Sequence, residues 1–128
     1  MARVTQSVGA LELLVDAFGC APEALTATER LELIFRWVID DLGMQVVSGP
    51  FWRAIPRTEG IAGLMILDDS HLSVYTYPEL GLATFNLYSG GRKTDWPWND
   101  VLRDLLQAKR IDVRVLSRGS AWVAAADS

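Results

Sequence analysis

The chain is poor in the residues that build most metal, redox and disulfide chemistry: it has one cysteine, Cys20, and one histidine, His71. A lone cysteine forbids an intramolecular disulfide and fits a reducing compartment. With a single imidazole and a single thiol, a transition-metal site is not expected. Basic residues are outnumbered, 12 Lys and Arg against 16 Asp and Glu, for a net charge of −4. They form no basic stripe to follow a phosphate backbone, so nucleic acid is not an expected partner. No apolar run approaches the roughly 18 residues of a membrane span, and residues 1–9 lack the apolar stretch of a secretory signal. The expected location is therefore cytoplasmic, with no membrane partner. Internal repeats, linkers and a glycine-rich phosphate loop are also missing, which leaves no fingerprint for an external nucleotide cofactor.

What is present is a globular composition. Of the 128 residues half are hydrophobic and 22% charged, enough for one domain with a real core. The organising stretch is 60–91, GIAGLMILDDSHLSVYTYPELGLATFNLYSGG. LMILDD is a short apolar run closed by two acids, HLSVYTY alternates with period two, and LATFNLY alternates again before Gly90-Gly91. Pro78-Glu79-Leu80-Gly81 reads as the turn between the last two. Asp69-Ser70-His71 sits at the seam of the first two strands, where pattern alone reads a polar turn.

The flanks complete the pattern. Residues 1–9 and 118–128 read as tails, and 11–18 as a first strand. Thr26 and Glu29 have the spacing of a capping box for a helix reaching about Leu42, with Leu31, Ile34, Phe35, Val38 and Leu42 on one stripe and Gly43 as its stop. Residues 44–55 form a second strand, interrupted at Gly49-Pro50. A loop at 92–96 leads into a second helix capped near Asp95, with Pro97 in its first turn and Trp98, Val101, Leu102, Leu105 and Leu106 on its buried face. Residues 111–116 form the last strand. The order βα-ββββ-αβ predicts an α+β fold, a two-layer sandwich with a mostly antiparallel sheet and both helices on one face.

The segment DDSHLSVYTYPELG resembles the self-cleaving segment of the bacterial S-adenosylmethionine decarboxylases, whose pattern is roughly ESH-(I/L)-(S/T)-I-H-T-W-P-E-x-G. The matches are Ser70, His71, Leu72, Ser73, Thr76, Pro78, Glu79 and Gly81. FWRAIP is similar to the family's FHRFLP, DAFGC to its D-x-x-x-C, and QAKRIDVRVLSRG to its last strand, so the likeness runs collinearly over about residues 10–119. The resemblance implies a pyruvoyl enzyme of polyamine and spermidine biosynthesis that acts on a small-molecule amine. It implies self-cleavage between Asp69 and Ser70, with Ser70 becoming the pyruvoyl group. The serine oxygen attacks the preceding carbonyl to give an ester, loss of the α-proton expels the upstream piece, and hydrolysis leaves the ketone. That ketone condenses with the substrate amine and takes up the electron pair when carbon dioxide leaves. The resemblance also implies a homodimer, packed sheet against sheet or edge to edge, with Glu79 holding ribose hydroxyls.

Several positions depart from the family pattern. The serine and histidine that assist self-cleavage fall on Ala62 and Tyr75, the proton-donating cysteine on Gly90, the adenine-stacking phenylalanine on Ala54, and the glutamate before the serine on Asp69. A phenol with a pKa of about 10 is a poor base at neutral pH. Three readings stay open: the usual substrate; a shift to a basic amino acid such as ornithine or arginine; and a processing-dead homologue acting as a partner or ligand-binding module. In the shifted reading Trp52 fills the space vacated at Ala54, and Asp69, Glu79 or Asp95 meets the cationic group. Tyr75 and Ser89 are the candidates to replace the missing cysteine as proton donor. On a strand His71 points to the face opposite Ser70.

Overall fold

The structure, a computed structural model, describes residues 9–90 and 95–119. Strands β1 (Ala10–Phe18), β2 (Val46–Ala54), β3 (Ile61–Leu67), β4 (Ser70–Tyr77), β5 (Leu82–Ser89) and β6 (Arg110–Arg118) form one sheet in the order β2-β3-β4-β5-β1-β6. Every neighbouring pair is antiparallel. Helices α1 (Glu29–Leu42) and α2 (Trp98–Leu106) cover one face, as the alternation predicts. Leu13, Val15 and Ala17 of β1, Met65 of β3, Leu72 and Val74 of β4 and Phe85 and Leu87 of β5 point into the helices and are buried. They meet Leu31, Ile34, Phe35 and Val38 of α1 and Trp98, Leu102 and Leu106 of α2 in one hydrophobic core. Burying each large apolar side chain contributes about 1.5–3 kcal/mol, which is what holds the helices to the sheet.

The helix ends differ in part from the sequence pattern. The start of α1 carries no capping box: Pro22–Leu25 forms a short 3-10 turn, and the Thr26 hydroxyl donates to the Glu23 carbonyl at 3.3 Å. The helix begins two residues later, with Thr28 in the cap position and no side-chain cap. The proline at the head of the 3-10 turn bends the chain early, so Thr26 is used up closing that turn. The stop is as read. Gly43 adopts the left-handed conformation (φ 65°), its N–H reaches the Asp40 carbonyl, and the Met44 N–H reaches Ile39. The start of α2 also shifts, since Pro97 and not Asp95 occupies the cap position. The Val101 N–H bonds the Pro97 carbonyl, while Asp95 lies outside the helix and is exposed. Val101 and Leu105 flank that helix's stripe and are only partly buried.

Strand β2 runs through Gly49-Pro50, but its pairing with β3 shifts register on both sides of Ser48. Strand β6 continues to Arg118, where a tail was expected; the remainder of the expected tails, and residues 91–94 of the second loop, lie outside the described residues apart from Gly9 and Gly119. Cys20 is buried, 4% exposed, and burial pushes its thiol up to about 11. Its backbone N–H donates to Gly81 in the β4–β5 turn, fastening that turn to the end of β1.

One buried hydroxyl ties three segments. Thr76 of β4 is fully buried; its Oγ1 donates to the Leu25 carbonyl and accepts from the Ile61 N–H, both at 2.8 Å. Replacing it with valine keeps the shape and strands both backbone groups. Thr76→Val is expected to cost about 1–3 kcal/mol, read in urea unfolding as a lower midpoint with an unchanged slope.

Candidate active site

Asp68 and Asp69 alone connect β3 to β4, and β4 starts at Ser70. The Asp68 N–H donates to the Gln45 carbonyl at 3.0 Å, which holds the connection down. Because the strand alternates, Ser70 faces the helices and is 8% exposed. Directly across the ladder stands Ser89 of β5, fully buried. The Ser70 hydroxyl donates to the Asp69 carboxylate, Oγ to Oδ1, at 2.9 Å. Gly90 follows Ser89 and lies against the same peptide: a Cβ there would begin 3.2 Å from the Asp69 carbonyl oxygen. The bond expected to break, its nucleophile and the position aligned with the family's proton donor thus form one cluster at one end of the sheet.

The other candidate residues lie elsewhere. His71 is on the uncovered face, stacked flat on Tyr88 with ring centroids 5.4 Å apart. Tyr75 is on that face too, half exposed, and pairs across the ladder with Ala62. His71, Ser73 and Tyr75 line a cavity of about 350 Å³ together with Phe51, Arg53 and Leu64. Glu79 occupies the turn beyond the far end of β4, in a cleft with Arg57, Thr58 and Glu59. At about 3.3 Å per residue, β4 separates it from Ser70 by roughly 25 Å. Ala54 ends β2 beside a cleft of about 550 Å³. Trp52 is committed to packing: its ring lies over Gly63, where a Cβ would come within 2.2 Å, and its centroid is 5.2 Å from Phe35. It forms a wall of both clefts and is not free to swing into the space at Ala54. One protomer therefore brings Asp69, Ser70, Ser89 and Gly90 together, and keeps Ala54, Ala62, Tyr75 and Glu79 apart from them.

The uncovered face also carries a polar cluster that no motif singles out. Glu12 of β1 accepts a hydrogen bond from Asn86 of β5 at 2.7 Å and an ion pair from Arg118 of β6. The Asn86 bond first, and then Arg118, hold its carboxyl below the ordinary glutamate value, and His71 acts in the same direction. The signal was the ladder register, which a sequence alone does not print. Among the described residues, no group of three or more His, Cys, Asp or Glu side chains is placed to hold a metal ion, and no helix is long and apolar enough to cross a membrane.

Comparison with known proteins gives a consistent picture. A family model described as S-adenosylmethionine decarboxylase matches residues 11–119. The chain is 30% identical over 109 residues to the S-adenosylmethionine decarboxylase proenzyme of Thermotoga maritima, covering 84% of this chain and 82% of that one. It is 34% identical over 108 residues to the proenzyme of Thermococcus gammatolerans, with 83% and 73% covered. Among solved structures, the adenosylmethionine decarboxylase from Aquifex aeolicus is similar with a TM-score of 0.72 at 25% identity, over 87% of this chain and 91% of that one.

The Glu12 cluster falls inside the matched span. A carboxyl whose folded value is lowered stabilises the fold above its unfolded value, about 4.3, and that contribution is lost as pH falls through the lowered folded value. Asn86→Ala is expected to move the Glu12 titration up toward the ordinary range, followed by NMR of its side-chain carboxyl carbon. An unmoved titration would contradict the ranking of Asn86 as the main cause.

Proposed function

Because the chain belongs to the S-adenosylmethionine decarboxylase family, we propose that it is a self-processing, pyruvoyl-dependent decarboxylase cleaved between Asp69 and Ser70. The observation that carries this reading is the seam: a buried Ser70 hydroxyl in contact with Asp69, with Gly90 packed on the carbonyl to be attacked. The residue across the ladder from Ser70, Ser89, is small, and Gly90 lies against Asp69. When formed, the pyruvoyl group supplies an electron-withdrawing ketone for loss of carbon dioxide. Ser89 stands across the ladder from it and carries a hydroxyl.

The substrate we favour is a basic amino acid such as ornithine or arginine. Ala54 offers no aromatic platform for an adenine, and the cleft beside it is walled by Glu59, which also borders the Glu79 cleft. Glu59 and Glu79 are the carboxylates available there to a cationic side chain, each cleft also holding an arginine, Arg53 or Arg57. Asp95, exposed outside α2, is not needed for this. We further read the active form as a homodimer. The uncovered face exposes Phe51, Leu64, Ile66 and Tyr75, and a second copy is the source of a Tyr75, Ala62 and Glu79 half-site for the Ser70 half-site that a single copy leaves incomplete. The lone cysteine supports a cytoplasmic setting.

The competing reading, a processing-dead binding module, is favoured by Ala62 and Tyr75, which lack the groups that assist cleavage. Intact mass under denaturing conditions separates the two. Fragments 1–69 and 70–128 are expected, the second lighter than a serine-initiated chain by one ammonia, with both absent in Ser70→Ala. Carbon dioxide release is then expected with ornithine or arginine above S-adenosylmethionine. A single full-length mass would favour the binding module.

A further inference from the structure

The helpers expected to start self-cleavage are missing or misplaced in this chain. Ala62 has no polar group. Tyr75 is five residues along β4 from Ser70, roughly 16 Å at the rise of a strand, and on the opposite face of the sheet. The His71 ring is on that opposite face as well, stacked on Tyr88. Ser89 lies across from Ser70 but is neutral. Among the described residues, the acidic group recorded on the Ser70 hydroxyl is the Asp69 carboxyl, at 2.9 Å.

We propose that Asp69 is the base that starts cleavage of its own peptide bond, within one protomer and without help from a second copy. This rests on the self-processing reading above. The balance of the step is internal. The Ser70 Oγ proton passes to Asp69 Oδ1 as Oγ bonds the Asp69 carbonyl carbon. The C–N bond to Ser70 then breaks, and the same proton leaves the carboxyl for the Ser70 nitrogen. The product is an ester between Asp69 and Ser70 with a free amine, and no outside reactant is consumed.

Two features support the role. A carboxylate is a weak base, but this one already accepts the hydrogen bond of the proton it would take. Holding it at hydrogen-bond distance replaces base strength with proximity. Gly90 presents no side chain to the Asp69 carbonyl oxygen, so that oxygen has space to move as its carbon becomes tetrahedral. The open-face cavity with Tyr75 and Arg53 is then free of any part in processing.

The test follows cleavage of freshly translated full-length chain by mass spectrometry. The expected result is a first-order rate unchanged by tenfold dilution. Asp69→Asn, which keeps the shape and cannot take the proton, should slow it at least about 100-fold. Asp69→Glu should restore most of the rate, separating a lost base from a lost fold. An Asp69→Asn chain that cleaves as fast as the parent overturns this inference and leaves the decarboxylase reading standing. So does a rate that rises with concentration, or a glutamate that restores nothing. A parent chain that never cleaves overturns both.

Discussion

Two residues, Asp68 and Asp69, join β3 to β4, and so short a link fixes which way every side chain of β4 points. A shift of one residue would turn Ser70 out to the uncovered face and bring His71 into the core. The native register is held by Leu72, Val74 and Thr76, all fully buried against the helices. Thr76 locks it at the far end by bonding Leu25 and Ile61. Ser70 is therefore buried because its neighbours at even spacing must be, and its pairing with Ser89 follows from the same ladder. The packing of the core and the placing of the nucleophile are one constraint.

That constraint explains why the candidate residues fall into two groups. Alternation sends Ser70 and Tyr75 to opposite faces because their spacing is odd. The length of β4 then carries Glu79 to the other end of the sheet. Phe51, Leu64, Ile66 and Tyr75 stay exposed on the uncovered face, and a sheet face with so much apolar area gains by being covered.

Most of the fold was legible in the sequence because it is written in period. The three core strands, both helical stripes and the Gly43 stop follow from alternation, 3.6-residue spacing and one left-handed position. The helix starts were misread because local geometry overrode composition: the 3-10 turn at Pro22 takes the Thr26 hydroxyl, and Pro97 takes the place of Asp95. The motif around Ser70 was legible as a linear string. The commitment of Trp52 to Phe35, the contact of Gly90 with Asp69 and the Glu12 cluster were not, since each depends on which strands become neighbours. Strand order is a long-range property: β1 pairs with β5 and β6, which lie far along the chain from it.

The place of β1 between β5 and β6 has a mechanical consequence. A cut after Asp69 would divide the sheet into β1, β2 and β3 on one piece and β4, β5 and β6 on the other. They would not be two halves lying side by side. Strand β1 of the first piece is wedged between β5 and β6 of the second, and β3 is still zipped to β4. The nicked molecule would be laced along three ladders, so a new chain end could form inside the fold without either piece coming away.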